Sequence, residues 1–473
     1  MYRTLLHSCY LLGGALCLFC LMGFYASAEE RPNFVVFIAD DMGWDDCGAY
    51  GHPHIRTPNM DRLAAEGLRF DRAYLTCSSC SPSRCSILTG RYPHATGASE
   101  LHLPLPAEQV LLTQPLREAG YWTAAIGKWH LGNAVVDQVD LRVDSTPEKM
   151  GQAWLKAIRE RPRDQPFMLW AAHSDPHRPY PGGAAEPPHT RQQVRVPQFL
   201  PDTPEVRADL ALYYDEITRF DEHVGLVLAE LQNQGVLDHT LVLVMTDNGR
   251  PFPHCKTRVH VPGVRTPFLA RWPEKIAAGG VTESLVSALD IAPTILQLAG
   301  LNPPASFQGV SFAKILSDPK ASVREYAFAE HNWHDYRAFE RAVHTPQLCY
   351  IRNWLPDIPG TPPADAVKSP TFLAMQSLEA RGQLTAAQRE CFVAPRPGEF
   401  LFDVVADPEC VHNLAADPQR ASELSRLRQA LEQWQTETGD HFPGESQLTP
   451  DGFDRQSGER IIKAAHPALQ RDR

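Results

Sequence analysis

Asn33-Phe34-Val35-Val36-Phe37-Ile38-Ala39 runs directly into Asp40-Asp41, and that junction decides the fold class. Seven uncharged residues rich in Val, Phe and Ile suit a strand buried on both faces, and the two carboxylates mark its end. Three further segments repeat the arrangement. Residues 121–126 run into Gly127-Lys128-Trp129-His130, 167–172 into His173-Ser174-Asp175-Pro176-His177, and 241–245 into Thr246-Asp247-Asn248-Gly249. Between the last two, Leu210, Tyr213, Ile217, Phe220, Val224, Val227 and Leu231 recur at three- and four-residue spacing, which predicts a helix over 206–231 closed by Gly235. Strands alternating with helices point to an α/β fold with a mainly parallel sheet. In such sheets ligands bind beyond the carboxyl ends of the strands, so the four polar clusters are expected to converge on one crevice.

The 473 residues, 43% of them hydrophobic, suffice for one large domain and a smaller one. Residues 1–28 stand apart: Arg3 precedes an apolar run over 11–25, and Ala26-Ser27-Ala28 offers small residues before Glu29-Glu30. This is the pattern of a signal peptide cleaved near Ala28, and it predicts an exported protein with no membrane span in the mature chain. The main α/β domain is expected over 29–355. Pro356, Pro359, Pro362, Pro363 and Pro370 mark an irregular connection into a smaller C-terminal α+β subdomain over 356–445. There, 400–405 reads as an antiparallel strand, and Leu424, Leu427, Leu431 and Trp434 form one face of a helix. Residues 446–473 read as a polar tail. A formal net charge of −11 speaks against nucleic acid as a partner, and an anionic substrate would need a local basic pocket. Of eleven cysteines, Cys9, Cys17 and Cys20 would leave with the signal, and the other eight are scattered without the two C-x-x-C pairs of a zinc site. Disulfides could form among Cys349, Cys391 and Cys410.

Asp40, Asp41, Asp247 and Asn248 offer hard oxygen ligands at two strand ends, which suits calcium or magnesium better than zinc. Each pair alone would equally suit a helix cap. Cys80-Ser81-Pro82-Ser83-Arg84, continued by Leu88-Thr89-Gly90-Arg91, separates these readings. It resembles the maturation signature of the sulfatase family, in which a cysteine followed by x-Pro-x-Arg is oxidised to formylglycine. The resemblance implies an alkaline-phosphatase-like fold, with a large mixed, mainly parallel sheet flanked by helices. It also implies a formylglycine-generating maturation enzyme as partner and one cation, Ca2+ or in its place Mg2+, held by Asp40, Asp41, Asp247, Asn248 and position 80. Arg84 would hold the nucleophile and metal region, Lys128 and His130 would contact formylglycine and sulfate, His177 would face the scissile oxygen as acid, and Lys256 would complete the clamp. Pro82 suits the first turn of a helix running toward Leu88, whose N–H groups would face the anion. Zinc phosphatases of the same superfamily typically carry a histidine after the aspartate, where this chain has Asn248.

Within the family, Ser79 to Arg84, Asp175-Pro176-His177-Arg178 and Asp247-Asn248-Gly249 with Pro251-Phe252-Pro253 resemble heparan N-sulfatases. Lys256 stands where those enzymes carry an arginine, and His331-Asn332-Trp333-His334-Asp335 departs from their pattern. The resemblance implies a sulfated carbohydrate substrate, led by N- or O-sulfated glucosamine of heparin or heparan. Alternatives are an O-sulfatase of algal polysaccharide, a phosphoesterase, or an unmatured glycan binder on the same fold. Glu100, His102, Arg178, His331 and His334 are candidate sugar contacts.

Overall fold

The computed structural model of the chain describes residues 31–442 and Asp454. The expected signal peptide and, Asp454 apart, the expected polar tail lie outside the described residues. Ten strands come first: β1 (Asn33–Ala39), β2 (Leu68–Phe70), β3 (Ala73–Tyr74), β4 (Trp122–Gly127), β5 (Leu141–Val143), β6 (Phe167–Ala172), β7 (Thr240–Thr246), β8 (Phe268–Arg271), β9 (Gly280–Thr282) and β10 (Val286–Ser287). Eight of them form one sheet in the order β5-β4-β6-β1-β7-β8-β2-β9, while β3 and β10 pair separately. The β5-β4-β6-β1-β7 half is parallel throughout. β8 runs antiparallel to both its neighbours, and β2 pairs parallel with β9. The sheet is therefore mixed and mainly parallel.

The alternation of β1 divides the interior. Phe34, Val36 and Ile38 enter one core with Met168, Trp170, Leu243 and Met245. Val35, Phe37 and Ala39 enter the other, with Ile217, Phe220 and Val224 of the long helix Pro204–Asn233. That helix is the one foretold by the apolar spacing, two residues longer at each end. Thr203 caps it by accepting the Val206 N–H, with Pro204 at its first position, where a missing N–H costs nothing.

A second sheet holds β11 (Ala327–His331), β12 (Glu340–His344), β13 (Leu348–Asn353) and β14 (Glu399–Asp403), all antiparallel. Leu424, Leu427, Leu431 and Trp434 of the helix Ala421–Thr438 pack on it with Val343, Tyr350 and Leu401. Three of its strands precede residue 356, so the boundary expected after 355 falls inside this sheet. These short strands gave no break in composition there; the prolines mark a segment inserted between β13 and β14. The eight cysteines from Cys47 to Cys410 are buried free thiols, so Cys349, Cys391 and Cys410 form no disulfide. Among the described residues, no helix is long and apolar enough to cross a membrane.

Candidate active site

β4, β6, β1 and β7 are adjacent in the sheet, so the four polar clusters emerge side by side. Backbone pairing continues past the strands: Asp40 N–H donates to Asp175 O at 2.8 Å, His173 N–H to Ile38 O at 2.8 Å and Asp247 N–H to Ala39 O at 3.2 Å. The approach of β4 to β6 is close at Gly127, whose φ is +100° and where a Cβ would stand 1.8 Å from the Ala172 carbonyl oxygen. Only glycine fits between the two strands there, and it delivers Lys128 to the crevice.

Asp40, Asp41, Cys80 and Asp247 lie at the floor, with one potential ligand atom from each all within 4.8 Å of one another. Cys80 Sγ is 3.6 Å from Asp40 Oδ1 and 3.9 Å from Asp41 Oδ1. Cys80 opens the fully buried helix Cys80–Thr89, which carries Pro82 in its first turn. Arg84 Nε donates to Asp247 Oδ2 at 2.8 Å, its Nη2 lies 2.7 Å from the same oxygen, and its Nη1 donates to Lys128 O at 2.8 Å. Lys128 Nζ donates to Asp40 Oδ2, and Lys256 Nζ to Asp41 Oδ2 at 2.8 Å. Asn248 Nδ2 donates to Asp41 Oδ1. Its Oδ1 is buried with no hydrogen-bond partner, which buried oxygens rarely tolerate. An orphaned amide oxygen beside three carboxylates is a donor set that fits a hard divalent cation.

Electrostatics agree with that fit. Burial disfavours the charged form of Asp40, yet Lys128, His177, Arg84 and Lys256 together hold it well below the usual carboxylate range. Asp247 is pushed the other way, up to about 6, by burial and by Asp40 and Asp41, against Arg84 and Lys128. Burial and its acidic neighbours thus disfavour the charge on Asp247 in particular, and a divalent ion beside it would relieve that. Burial lifts the Cys80 thiol well above its ordinary range despite Lys128 and Lys256, so an unmodified Cys80 is a neutral thiol and a poor nucleophile. Burial, then Lys128, His102 and Arg84, push His130 far down, leaving a neutral imidazole. Its ring packs 5.1 Å from that of His102.

Of the non-glycine residues with left-handed φ, Asp41 (74°), His102 (65°), His130 (61°) and Thr257 (67°) cluster at or beside this crevice. Such conformations cost on the order of 1–3 kcal/mol each and persist where neighbours over-determine them. Around Asp41 they do: its N–H reaches Asp247 Oδ1 at 3.2 Å, Met42 N–H reaches Thr246 Oγ1 at 3.0 Å, and Gly43 N–H reaches Tyr213 OH at 2.9 Å.

His177 stands at the mouth, 30% exposed, with Nε2 3.9 Å from Asp41 Oδ2. Its Nδ1 faces the carbonyl oxygen of Arg178. A carbonyl can only accept, so Nδ1 carries a proton and Nε2 is the atom turned toward the cleft. The Asp-Pro-His loop is oriented from below by Arg219, which grips Asp175 at 2.7 and 2.8 Å.

Not every candidate sugar contact reaches the mouth. Arg178 is buried in a two-pronged pair with Asp209 at 2.8 and 2.7 Å and also donates to Pro251 O; its guanidinium is bound into the scaffold. His331 is buried beside Arg258, Glu340 and Arg396 in a small cavity that His334 and Asp335 also line. His334 instead meets Ser79 Oγ at 2.7 Å through Nδ1, directly beside Cys80, and Asp335 extends that wall, 30% exposed. Asp365 escaped the sequence reading altogether. Its Oδ2 lies 3.5 Å from both His177 Nε2 and Lys256 Nζ. It belongs to the proline-rich segment after β13, where no periodicity or motif singles it out.

Known proteins of one kind resemble this chain along most of its length. Residues 32–301 match the family described as Sulfatase, and 254–353 match that described as N-sulphoglucosamine sulphohydrolase, C-terminal. The chain belongs to the sulfatase family. It is 33% identical to the human N-sulphoglucosamine sulphohydrolase, covering 90% of this chain and 93% of that one. It is 30% identical to an ulvan-active sulfatase of Formosa agariphila, over 87% of this chain and 76% of the relative. A structure solved in complex with its substrate D-glucosamine-2-N,6-O-disulfate shares the fold of this sulfatase, with a TM-score of 0.66 at 20% identity, covering 88% of this chain and all of that one.

Proposed function

We propose that this sulfatase releases sulfate from N-sulfated glucosamine in heparin- or heparan-type saccharides, outside the cytoplasm after export, once Cys80 has been converted by a maturation enzyme. The observation that carries the substrate is the match of 254–353 to an N-sulphoglucosamine sulphohydrolase C-terminal region, because that stretch supplies Lys256, His334 and Asp335 to the crevice. The 30% identity to an ulvan-active enzyme supports a second reading, an O-sulfatase of algal polysaccharide, since rim residues choose the sugar while the sulfate clamp stays the same.

A sulfate group brings one negative charge and spreads more onto the leaving atom as the bond to sulfur breaks, so the site needs fixed positive charge and an acid. Lys128 and Lys256 are both held protonated: burial opposes their charge, but Asp40 and Asp41 respectively outweigh it. They flank the anion without giving up protons, and Arg84 fixes Asp247 and the Lys128 carbonyl so that the clamp keeps its spacing. His177 Nε2 faces the cleft and would protonate the leaving atom, while neutral, buried His130 would take a proton on the nucleophile side. When bound, a calcium ion held by Asp40, Asp41, Asp247 and Asn248 would supply Lewis-acid charge, and formylglycine at position 80 would supply the geminal-diol nucleophile.

Chelation is expected to abolish sulfate release reversibly, with calcium restoring it and raising the thermal midpoint of the stripped protein, as ligand linkage requires. Recovery of activity with two zinc ions instead would favour a phosphoesterase. Against defined saccharides, sulfate release from N-sulfoglucosamine is expected. Release only from O-sulfated uronic acid or rhamnose units would transfer the assignment to the algal reading.

A further inference from the structure

Asp365 is placed unlike the three carboxylates of the floor. Asp40, Asp41 and Asp247 are wholly buried and engaged by Lys128, Lys256 and Arg84. Asp365 stands one layer above them, 23% exposed beside His177 at 30%, and potential ligand atoms of Asp41, His177 and Asp365 lie within 4.8 Å of one another. Its orientation is fixed. Oδ1 accepts the N–H of Ala366 at 2.8 Å, and the preceding residue, Ala364, donates its N–H to Asp335 Oδ2 at 2.7 Å. Oδ2 is left facing His177 Nε2 and Lys256 Nζ.

The lysine and arginine nearby each have a closer carboxylate. Lys256 Nζ lies 2.8 Å from Asp41 against 3.5 Å from Asp365. Arg178 is held by both oxygens of Asp209 at 2.8 and 2.7 Å. A carboxylate fixed beside the imidazole that serves the leaving atom would repel a sulfate ester where its bridging oxygen gathers negative charge. For a leaving nitrogen the sign reverses.

Hydrolysis of an N-sulfate balances as RNH–SO3− plus water giving RNH3+ plus SO4 2−. The S–N bond breaks, its electron pair stays on nitrogen, and nitrogen takes up two protons to end as an ammonium. An O-sulfate gives ROH, SO4 2− and a proton, and its leaving oxygen never becomes a cation. A fixed carboxylate at this position therefore favours the first reaction and disfavours the second.

We propose that Asp365 is the residue that selects N-sulfate over O-sulfate, by pairing with the nitrogen as it becomes cationic. This rests on the assignment of N-sulfoglucosamine as substrate, and on His177 marking the leaving-atom side. Asp365 lies beyond the matched C-terminal region, in the loop between β13 and β14, so the preference is carried by a segment that can vary independently of the sulfate clamp.

The test uses matured, calcium-loaded enzyme and three substrates: N-sulfoglucosamine, glucosamine 6-O-sulfate and 4-nitrophenyl sulfate. Asp365→Asn keeps the shape and the Ala366 contact but removes the charge. It is expected to lower kcat/KM on N-sulfoglucosamine by about 30–100-fold and to change the aryl sulfate by less than about 5-fold, with glucosamine 6-O-sulfate unchanged or improved. Asp365→Glu should recover part of the N-sulfate activity, and thermal melting checks that each variant is folded. Equal losses on all three substrates, or an unchanged N-sulfate rate, overturn the role of Asp365 alone. A wild-type enzyme that releases no sulfate from N-sulfoglucosamine overturns the substrate assignment as well.

Discussion

Cys80→Ala is expected to lower sulfate release by at least about 10^4-fold while leaving the fold and its thermal midpoint nearly unchanged. The side chain is small, and its sulfur makes only the long contacts of 3.6 and 3.9 Å to Asp40 and Asp41, so little packing is lost. What disappears is the sulfur beside the acidic floor and the two lysines. No neighbour replaces it: Ser79 Oγ is engaged with His334, and Cys85 is buried within its helix as a free thiol raised by burial to about 12. Wild-type sulfate release persisting in Cys80→Ala would remove this residue from the chemistry altogether.

Arg84→Ala should behave in the opposite way, losing activity and stability together. Arg84 is completely buried, pairs with Asp247 at 2.8 and 2.7 Å, and satisfies the Lys128 carbonyl. Its removal leaves a buried carboxylate without its partner, a change that typically costs about 3–5 kcal/mol. Asp247, already up at about 6 through burial and its acidic neighbours, would then hold a proton more readily and serve a cation less well. Activity is expected to fall by at least about 10^3-fold, with a lowered urea midpoint. Arg84→Lys should recover only part of either, because an ammonium cannot make the same forked contact. Full stability in Arg84→Ala would show that the pair is not what holds the floor together.

The junctions at Asp40, Lys128, His177 and Asp247 were legible because β4, β6, β1 and β7 are buried on both faces. A strand in that position must be apolar along its whole length and can turn polar only where it leaves the sheet, which is the pattern these four segments carry. The helix Pro204–Asn233 was legible for its spacing. The second sheet was not: β11 and β12 are short, and β12 carries buried Glu340 and Arg341, paired to Arg396 and to Asp440, so no apolar run announces it. Pairing between distant residues likewise hid the role of Arg178, whose partner Asp209 lies 31 positions away. It also hid Asp365, which gains meaning only when an irregular loop brings it against His177.

The central claim is that this crevice works through a converted Cys80, and the mass of the peptide carrying that residue tests it most directly. Protein made with and without a maturation enzyme would be digested, the Cys80 peptide weighed, and sulfate release measured on the same batches. Conversion exchanges sulfur for oxygen with loss of two hydrogens and makes the peptide lighter by about 18 Da, and activity should rise in proportion to the converted fraction. Full activity in a batch where every Cys80 is still a thiol would contradict the account.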